Sequence, residues 1–273
     1  MAVSFNTLNE EATIFNELNK NPLWWEKFKK DRSLYIEIRK DNQVNVYFEG
    51  GSVARIHYCS KHKQLQVFTH HKYLGITAEK PMYIECSKII NEKLDFILDQ
   101  VKRNYSQKYN QNGITPKEQW SEKFIQSNLI LESSTTHLDS EFAYKDNEND
   151  IRIDMVKVVD GAITFVELKR LDDPRMLKST EDDPEVVFQL RDYEKFIESH
   201  KDELLSYYKR VYDIKKKLGL ILPTSRPASV NTKAELLIFN RWEREHPARE
   251  NHKRRMEKIL TNANISYKII DRF

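Results

Sequence analysis

Asp154, Glu167 and Lys169 fall within one stretch, IDMVKVVDGAITFVELK, residues 153–169. Asp160-Gly161 at its centre is a strong two-residue hairpin signal, because both turn positions need φ > 0. With those residues at the turn, Val159 faces Ala162. Counting outward, Asp154 then faces Glu167 as a non-hydrogen-bonded pair, with Cα atoms about 4.5 Å apart. Like charges so placed are destabilising. Apolar residues on both sides raise the cost. Val156, Val158, Ile163 and Phe165 form one expected face, and Ile151, Ile153, Met155, Val166 and Leu168 the other. A raised pKa, a basic neighbour or a bound cation must compensate. Lys169 lies two residues beyond Glu167, hence on the same face, and the same count places Arg152 opposite Lys169. Two carboxylates and an ammonium on one patch of sheet suit a hard divalent cation with a cationic helper.

The elements around this hairpin follow from periodicity. Residues 8 to 30 read as helical, with Asn21 as an N-cap and Pro22 at the first helical position. SLYIEIRK and VNVYFEG alternate about a turn at Asp41-Asn42, and SVARIHYCS and LQVFTHH continue as strands. Residues 85–105 carry helical spacing. Together 1–108 read as an antiparallel β-plus-helix domain, a recognition or partner-binding module. SQKYNQNGIT (106–115) is the best linker. From 109 to 273 a second domain runs helix (from Pro116), three strands (141–144, 151–159, 162–169), an acidic loop, a long helix, a strand at 234–239, a basic helix and a last strand at 266–271. That order predicts a mixed sheet with flanking helices, an α/β (α+β) fold.

Composition sets outer bounds. The chain has 273 residues, 39% hydrophobic, 32% charged and 11% aromatic, which is globular rather than disordered. A net charge of +3 excludes a general polycation, so nucleic-acid binding has to rest on local clusters such as 209–217 and 241–255. Such runs are more often solvated helix faces. The N-terminus lacks a signal-peptide pattern and no apolar run approaches a membrane span. With two cysteines, Cys59 and Cys86, a cytoplasmic location is expected.

The order and the residues together resemble the PD-(D/E)XK nuclease superfamily, the restriction-endonuclease-like fold. Its core is a helix, a three-stranded antiparallel meander, a helix and a strand. Its signature acid on the second strand corresponds to Asp154 in RIDMV, and its (D/E)-x-K to Glu167-Leu168-Lys169 in VELKR. Ile153 stands where the family name has Pro. The Q-x-x-x-Y of RecB-like members corresponds to Gln189 and Tyr193 in FQLRDY, whose spacing also places both on one helix face. The resemblance covers residues 115–271 and implies a metal-dependent nuclease acting on nucleic acid, DNA rather than RNA. Asp154, Glu167 and the Leu168 carbonyl would bind Mg²⁺ or Mn²⁺, joined by a first-helix acid, Glu122 in preference to Glu118. Lys169 would position or polarise the attacking water, and Gln189 and Tyr193 would orient the site. Arg152, Arg170 and Arg191 are substrate-binding candidates. A catalytically silent nucleic-acid-binding or assembly module is the alternative. A homodimer and a protein partner on the N-terminal domain are both compatible with the sequence.

Other constellations are weaker. His57, Cys59, His62, His70 and His71 cluster without paired zinc-ligand spacing. No phosphate-binding glycine loop or nucleophile elbow is present. Trp24-Trp25 reads as core, with base stacking as the sharper alternative. Tyr47, Phe48, Arg55 and Lys72 mark the N-terminal sheet as a surface for nucleic acid or protein.

Overall fold

The computed structural model describes residues 7–88, 90–146, 150–176 and 184–271. Among them are seven α-helices, an antiparallel five-stranded sheet and a mixed six-stranded sheet. This is the α/β organisation expected from the alternation and helical periods.

The N-terminal helical stretch divides into α1 (Thr13–Asn19) and α2 (Leu23–Lys30). Asn21 sits at φ 53°, the left-handed conformation that ends a helix, so Pro22 and not Asn21 occupies the N-cap of α2. Trp24 and Trp25 are 6% and 0% exposed and belong to the core. Strands β1 (Leu34–Arg39), β2 (Gln43–Phe48), β3 (Gly51–Cys59), β4 (Gln64–His70) and β5 (Tyr83–Glu85) pair in sequence order. α3 (Ile90–Tyr105) follows. Val44, Val46, Ile56 and Val67 bury one face of this sheet. Register aligns Glu37, Asn45, Arg55, Phe68 and Glu85 in a row across the other. Gly50, at φ 81°, turns the chain so close to Lys123 that a Cβ would stand 2.7 Å from the Lys123 carbonyl oxygen.

A short ribbon, β6 (Tyr109–Asn110) with β7 (Gly113–Ile114), occupies the expected linker. The helix expected from Pro116 instead starts later. Residues 117–119 form a 3-10 turn, Trp120 is extended, and α4 (Glu122–Glu132) begins after Ser121. The Ser121 hydroxyl accepts the Phe124 N–H at 3.2 Å, a side-chain cap that Pro116 cannot supply.

β8 (His137–Lys145), β9 (Asp150–Val159) and β10 (Ala162–Arg170) form the meander. α5 (Glu185–Ser199) and α6 (Lys201–Lys217) lead to β11 (Ser229–Val230) and β12 (Glu235–Phe239), and α7 (Pro247–Asn262) leads to β13 (Tyr267–Ile270). The sheet order is β13-β12-β10-β9-β8, with β11 also on β10; β10–β12 and β12–β13 are parallel, the meander antiparallel. α4 covers Met155, Val166, Leu168 and Phe239 through Ile125 and Ile130. On the other side Val156, Val158, Ile163 and Phe165 join a cluster with Leu190, Phe196, Tyr208 and Val211 of α5 and α6. That cluster also holds Ile151 and Ile153, which the period-2 reading put with Met155. The alternation breaks at Met155–Val156, both buried, beside a register shift in β8 between His137 and Asp139.

The two sheets share buried polar groups. Glu37 of β1 is 0% exposed and accepts from Lys215 Nζ at 2.7 Å, His137 Nε2 at 2.7 Å and Ser140 Oγ at 3.2 Å. Arg39 reaches Asp139 Oδ1 at 3.1 Å and the Ser140 carbonyl at 2.6 Å. Lys215, from a run expected to be solvated, is therefore core, at 2% exposure. Among the described residues no helix is long and apolar enough to cross a membrane.

Candidate active site

The Asp160-Gly161 turn takes φ of 50° and 81°, and the expected register holds from Ala162–Val159 to Val166–Met155. The ladder ends there. Asp154 and Glu167 stand at the next position, where β10 is paired on its other edge with β12. Continued pairing would send the Leu168 N–H to the Ile153 carbonyl. It goes instead to Asp154 Oδ2, at 2.8 Å. The Asp154 carbonyl accepts from Gln126 Nε2 at 2.7 Å, which ties β9 to α4.

Glu167 and Lys169 are 2% and 1% exposed. Lys169 Nζ donates to Glu167 Oε1 and lies 3.3 Å from the Leu168 carbonyl oxygen. From α5, Gln189 Nε2 donates to Glu167 Oε1 at 2.9 Å and to the Tyr193 hydroxyl at 2.5 Å. That hydroxyl sits 3.1 Å from Glu167 Oε2 and bonds the Arg152 carbonyl. Asp154, Glu167, Lys169, Gln189 and Tyr193 are thus brought together from two strands and a helix.

Electrostatics follow the burial. Desolvation, then the Glu167 charge, pushes the Asp154 carboxyl up to about 8, against the Leu168 N–H and Lys169. Burial, then Glu167, also pushes the Tyr193 phenol far above its ordinary value, so it stays a neutral hydroxyl. Glu122, in the first turn of α4, is raised by burial despite Lys169 and Arg175, with Asp173 and Glu167 adding to the rise. Glu122 therefore feels the cluster, and Arg175 stands 4.0 Å from its carboxylate. Glu118 lies on the 3-10 turn and pairs with Arg249 at 3.1 Å.

The three arginines fare differently. Arg152 is not the neighbour of Lys169: it pairs with Ala143 on β8, and its side chain is 81% exposed and 3.7 Å from Asp150. The reason is the early end of the β9–β10 ladder. Arg170 Nε faces Asp172 Oδ1 at 3.6 Å, so its nearest charge is an acid. Arg191 is half-buried on α5. Sequence reasoning missed Gln126, Asp173 and Arg175. Asp173 accepts from Arg175 at 2.9, 3.0 and 2.7 Å; burial raises its carboxyl, but these bonds and Lys169 hold it below its usual value. Gln126 sits one turn beyond Glu122, and that spacing was its only signal.

The donor set suits a hard cation: carboxylates of Asp154 and Glu167 and the Leu168 carbonyl, gathered around one ammonium. The charge is unbalanced, since burial and Glu167 hold Asp154 far above its ordinary pKa. A divalent ion would reverse that. Among the described residues no three His, Cys, Asp or Glu side chains form a metal-holding group, so Glu122 stands beside a two-carboxylate set and the N-terminal His/Cys cluster forms none. In comparisons with known proteins, the chain matches no family model, no curated protein and no solved structure.

Proposed function

We propose that this chain is a metal-dependent nuclease that hydrolyses phosphodiester bonds, with DNA as its substrate. The observation that carries the reading is the assembly of Asp154, Glu167 and Lys169 with Gln189 and Tyr193 at the end of the hairpin ladder. Asp154, Glu167 and the Leu168 carbonyl would hold Mg²⁺ or Mn²⁺. Such an ion, when bound, supplies activation of water and stabilisation of charge on the scissile phosphate.

The remaining work falls to the chain's own groups. Lys169, buried beside Glu167, donates to the attacking water or to the developing phosphate charge. Gln189 and Tyr193 hold the two Glu167 oxygens in place. Gln126 and the Leu168 N–H fix Asp154 from both ends. Glu122 and the Asp173–Arg175 pair stand within reach of the Lys169 charge, with Arg175 4.0 Å from Glu122. The helix, meander, helix and strand order of α4, β8–β10, α5–α6 and β12 is the order that the resemblance implies. Cys59 and Cys86 are free thiols, which supports a reducing, cytoplasmic setting.

The test is incubation of the purified protein with end-labelled single- and double-stranded DNA and RNA, in Mg²⁺, Mn²⁺ or EDTA, beside Glu167→Ala. Cleavage that requires both metal and Glu167 is expected. Binding without cleavage under every condition would overturn the reading in favour of a silent module.

A further inference from the structure

The N-terminal sheet has a polar, aromatic face that the catalytic cluster does not use. Across it run Asn45, Arg55 and Phe68, one beside the next by register. The His57 ring stacks on Phe68, with centroids 4.9 Å apart and planes 16° from parallel. The Arg55 guanidinium lies 4.0 Å from the Tyr83 ring centre. His57 and Phe68 are half-buried, and Tyr83 is 37% exposed. Two stacked pairs therefore stand side by side on one sheet face. The turn joining β3 to β4 adds Lys61, His62 and Lys63, all exposed.

Beside these pairs a cavity of about 270 Å³ opens between the two sheets. Arg39, Lys40, Asn45 and Arg55 line one wall, and Glu141 and Tyr207 belong to the other. Among the described residues, Asn45 Oδ1 and Arg55 Nε are buried without a hydrogen-bond partner. One is an acceptor and the other a donor, on facing positions of adjacent strands. Orphaned buried polar atoms are uncommon, and here both border the same cavity. The volume lies below the usual ligand-pocket range of roughly 300–1,000 Å³. It suits one flat polar ring rather than a large molecule.

We propose that this face binds single-stranded nucleic acid, with one unstacked base entering the cavity at Asn45 and Arg55. The neighbouring bases stack on His57–Phe68 and Arg55–Tyr83, and their phosphates meet Lys61 and Lys63. Stacking on aromatic and guanidinium faces requires bases freed from a duplex, which commits the occupant to a single strand. The donor–acceptor pair matches a base edge, which carries both kinds of group. Glu141 on the far wall faces Asp154 by register, since its neighbours pair Phe142–Ile153 and Ser140–Met155. Glu141 of the cavity wall and the β9 acid thus stand on adjacent strands. The proposal rests on the nuclease reading for its purpose, as the form in which substrate reaches the site, but its binding surface is separate.

The test is fluorescence anisotropy of the full chain in EDTA, where no cleavage occurs. The probes are a labelled oligothymidylate, the matching oligouridylate and a DNA duplex. Single strands are expected to bind at least tenfold tighter than duplex. Arg55→Ala and Phe68→Ala are each expected to weaken single-strand binding about tenfold while leaving duplex binding unchanged. Lys61→Glu, at an exposed turn position, supplies a variant that folds regardless and should weaken binding and its salt dependence. The DNA and RNA arms show which backbone is preferred. Equal affinity for single strand and duplex, or affinities unmoved by all three variants, would overturn the proposal. The two readings fail separately. Tight single-strand binding without cleavage in Mn²⁺ removes the nuclease and leaves the platform. Metal-dependent cleavage indifferent to Arg55, Phe68 and Lys61 does the reverse.

Discussion

The Leu168 N–H donates to Asp154 Oδ2 at 2.8 Å, so a side-chain acid occupies the place of a ladder carbonyl where β9 and β10 part. This one bond separates the structural from the chemical role of Asp154. Asp154→Asn keeps an acceptor for Leu168 and mimics the neutral carboxyl that burial and Glu167 favour. At neutral pH without metal, its melting temperature should equal or exceed that of the wild type. Asp154→Ala leaves the N–H unsatisfied and should cost about 1–3 kcal/mol. Both variants should lose cleavage and the rise in melting temperature on adding Mn²⁺. Thermal melts with and without Mn²⁺ check this, and an Asn variant still stabilised by the ion would remove Asp154 from the donor set.

Lys169 is buried against Glu167, at 1% exposure. Removing one partner of a buried pair costs about 3–5 kcal/mol, and Gln189 and Tyr193 should keep Lys169→Met at the low end. A positioned donor to developing charge is worth about 10²–10³ in kcat. Lys169→Met should therefore lower kcat by that amount with KM changed only a few-fold. Steady-state kinetics on a labelled oligonucleotide separate the two. A rise in KM with kcat intact would show that Lys169 serves binding alone.

Tyr193 and Gln189 act as one unit, since Gln189 bonds both the Tyr193 hydroxyl and Glu167. Tyr193→Phe leaves the Arg152 carbonyl without its partner and should cost about 1–3 kcal/mol. Gln189→Ala should cost a similar amount. The double variant should be less destabilised than the sum of the two, by about 0.5 kcal/mol or more. Urea unfolding of the four proteins measures the coupling, and strict additivity would contradict a shared network.

Much of this arrangement was legible in the residues because it is local. Asp160-Gly161 set the hairpin register, and the four-residue spacing of Gln189 and Tyr193 set a common helix face. What escaped depends on distant partners. The ladder stops at Val166–Met155, where the Leu168 N–H goes to Asp154 Oδ2 and the Tyr193 hydroxyl to the Arg152 carbonyl. No count outward from the turn contains either fact, and so Arg152 was placed wrongly. A register shift in β8 between His137 and Asp139 adjoins the point where the facing of β9 changes, and nothing in those residue types announces it. Asp173 and Arg175 lie past the strand end, where periodicity carries no information. Lys215 sits in a run of charges and looks solvated until Glu37 is brought to it from a sheet 178 residues away.

That Glu37–Lys215 pair carries the last prediction, on acid stability. Burial alone would raise the Glu37 carboxyl, but Lys215 and then His137 pull it down to about 2, from an ordinary 4.5. As pH falls past 4.5 the unfolded chain takes up a proton that folded Glu37 refuses, so this stability is lost between 4.5 and about 2. Asp139 runs the other way. Burial first, and Glu37 among its neighbours, raises it from 3.8 to about 7 despite Arg39. Its contribution therefore declines as pH rises through that window. Together the two groups favour the folded state most near pH 4 to 5, between the shifted values. Lys215→Met should cost about 3–5 kcal/mol at neutral pH. It should also flatten the acid limb, because Glu37 loses its strongest attraction. Urea unfolding of both proteins from about pH 2 to about pH 7 gives both limbs. A variant curve parallel to the wild type throughout would mean that Lys215 does not hold the Glu37 charge.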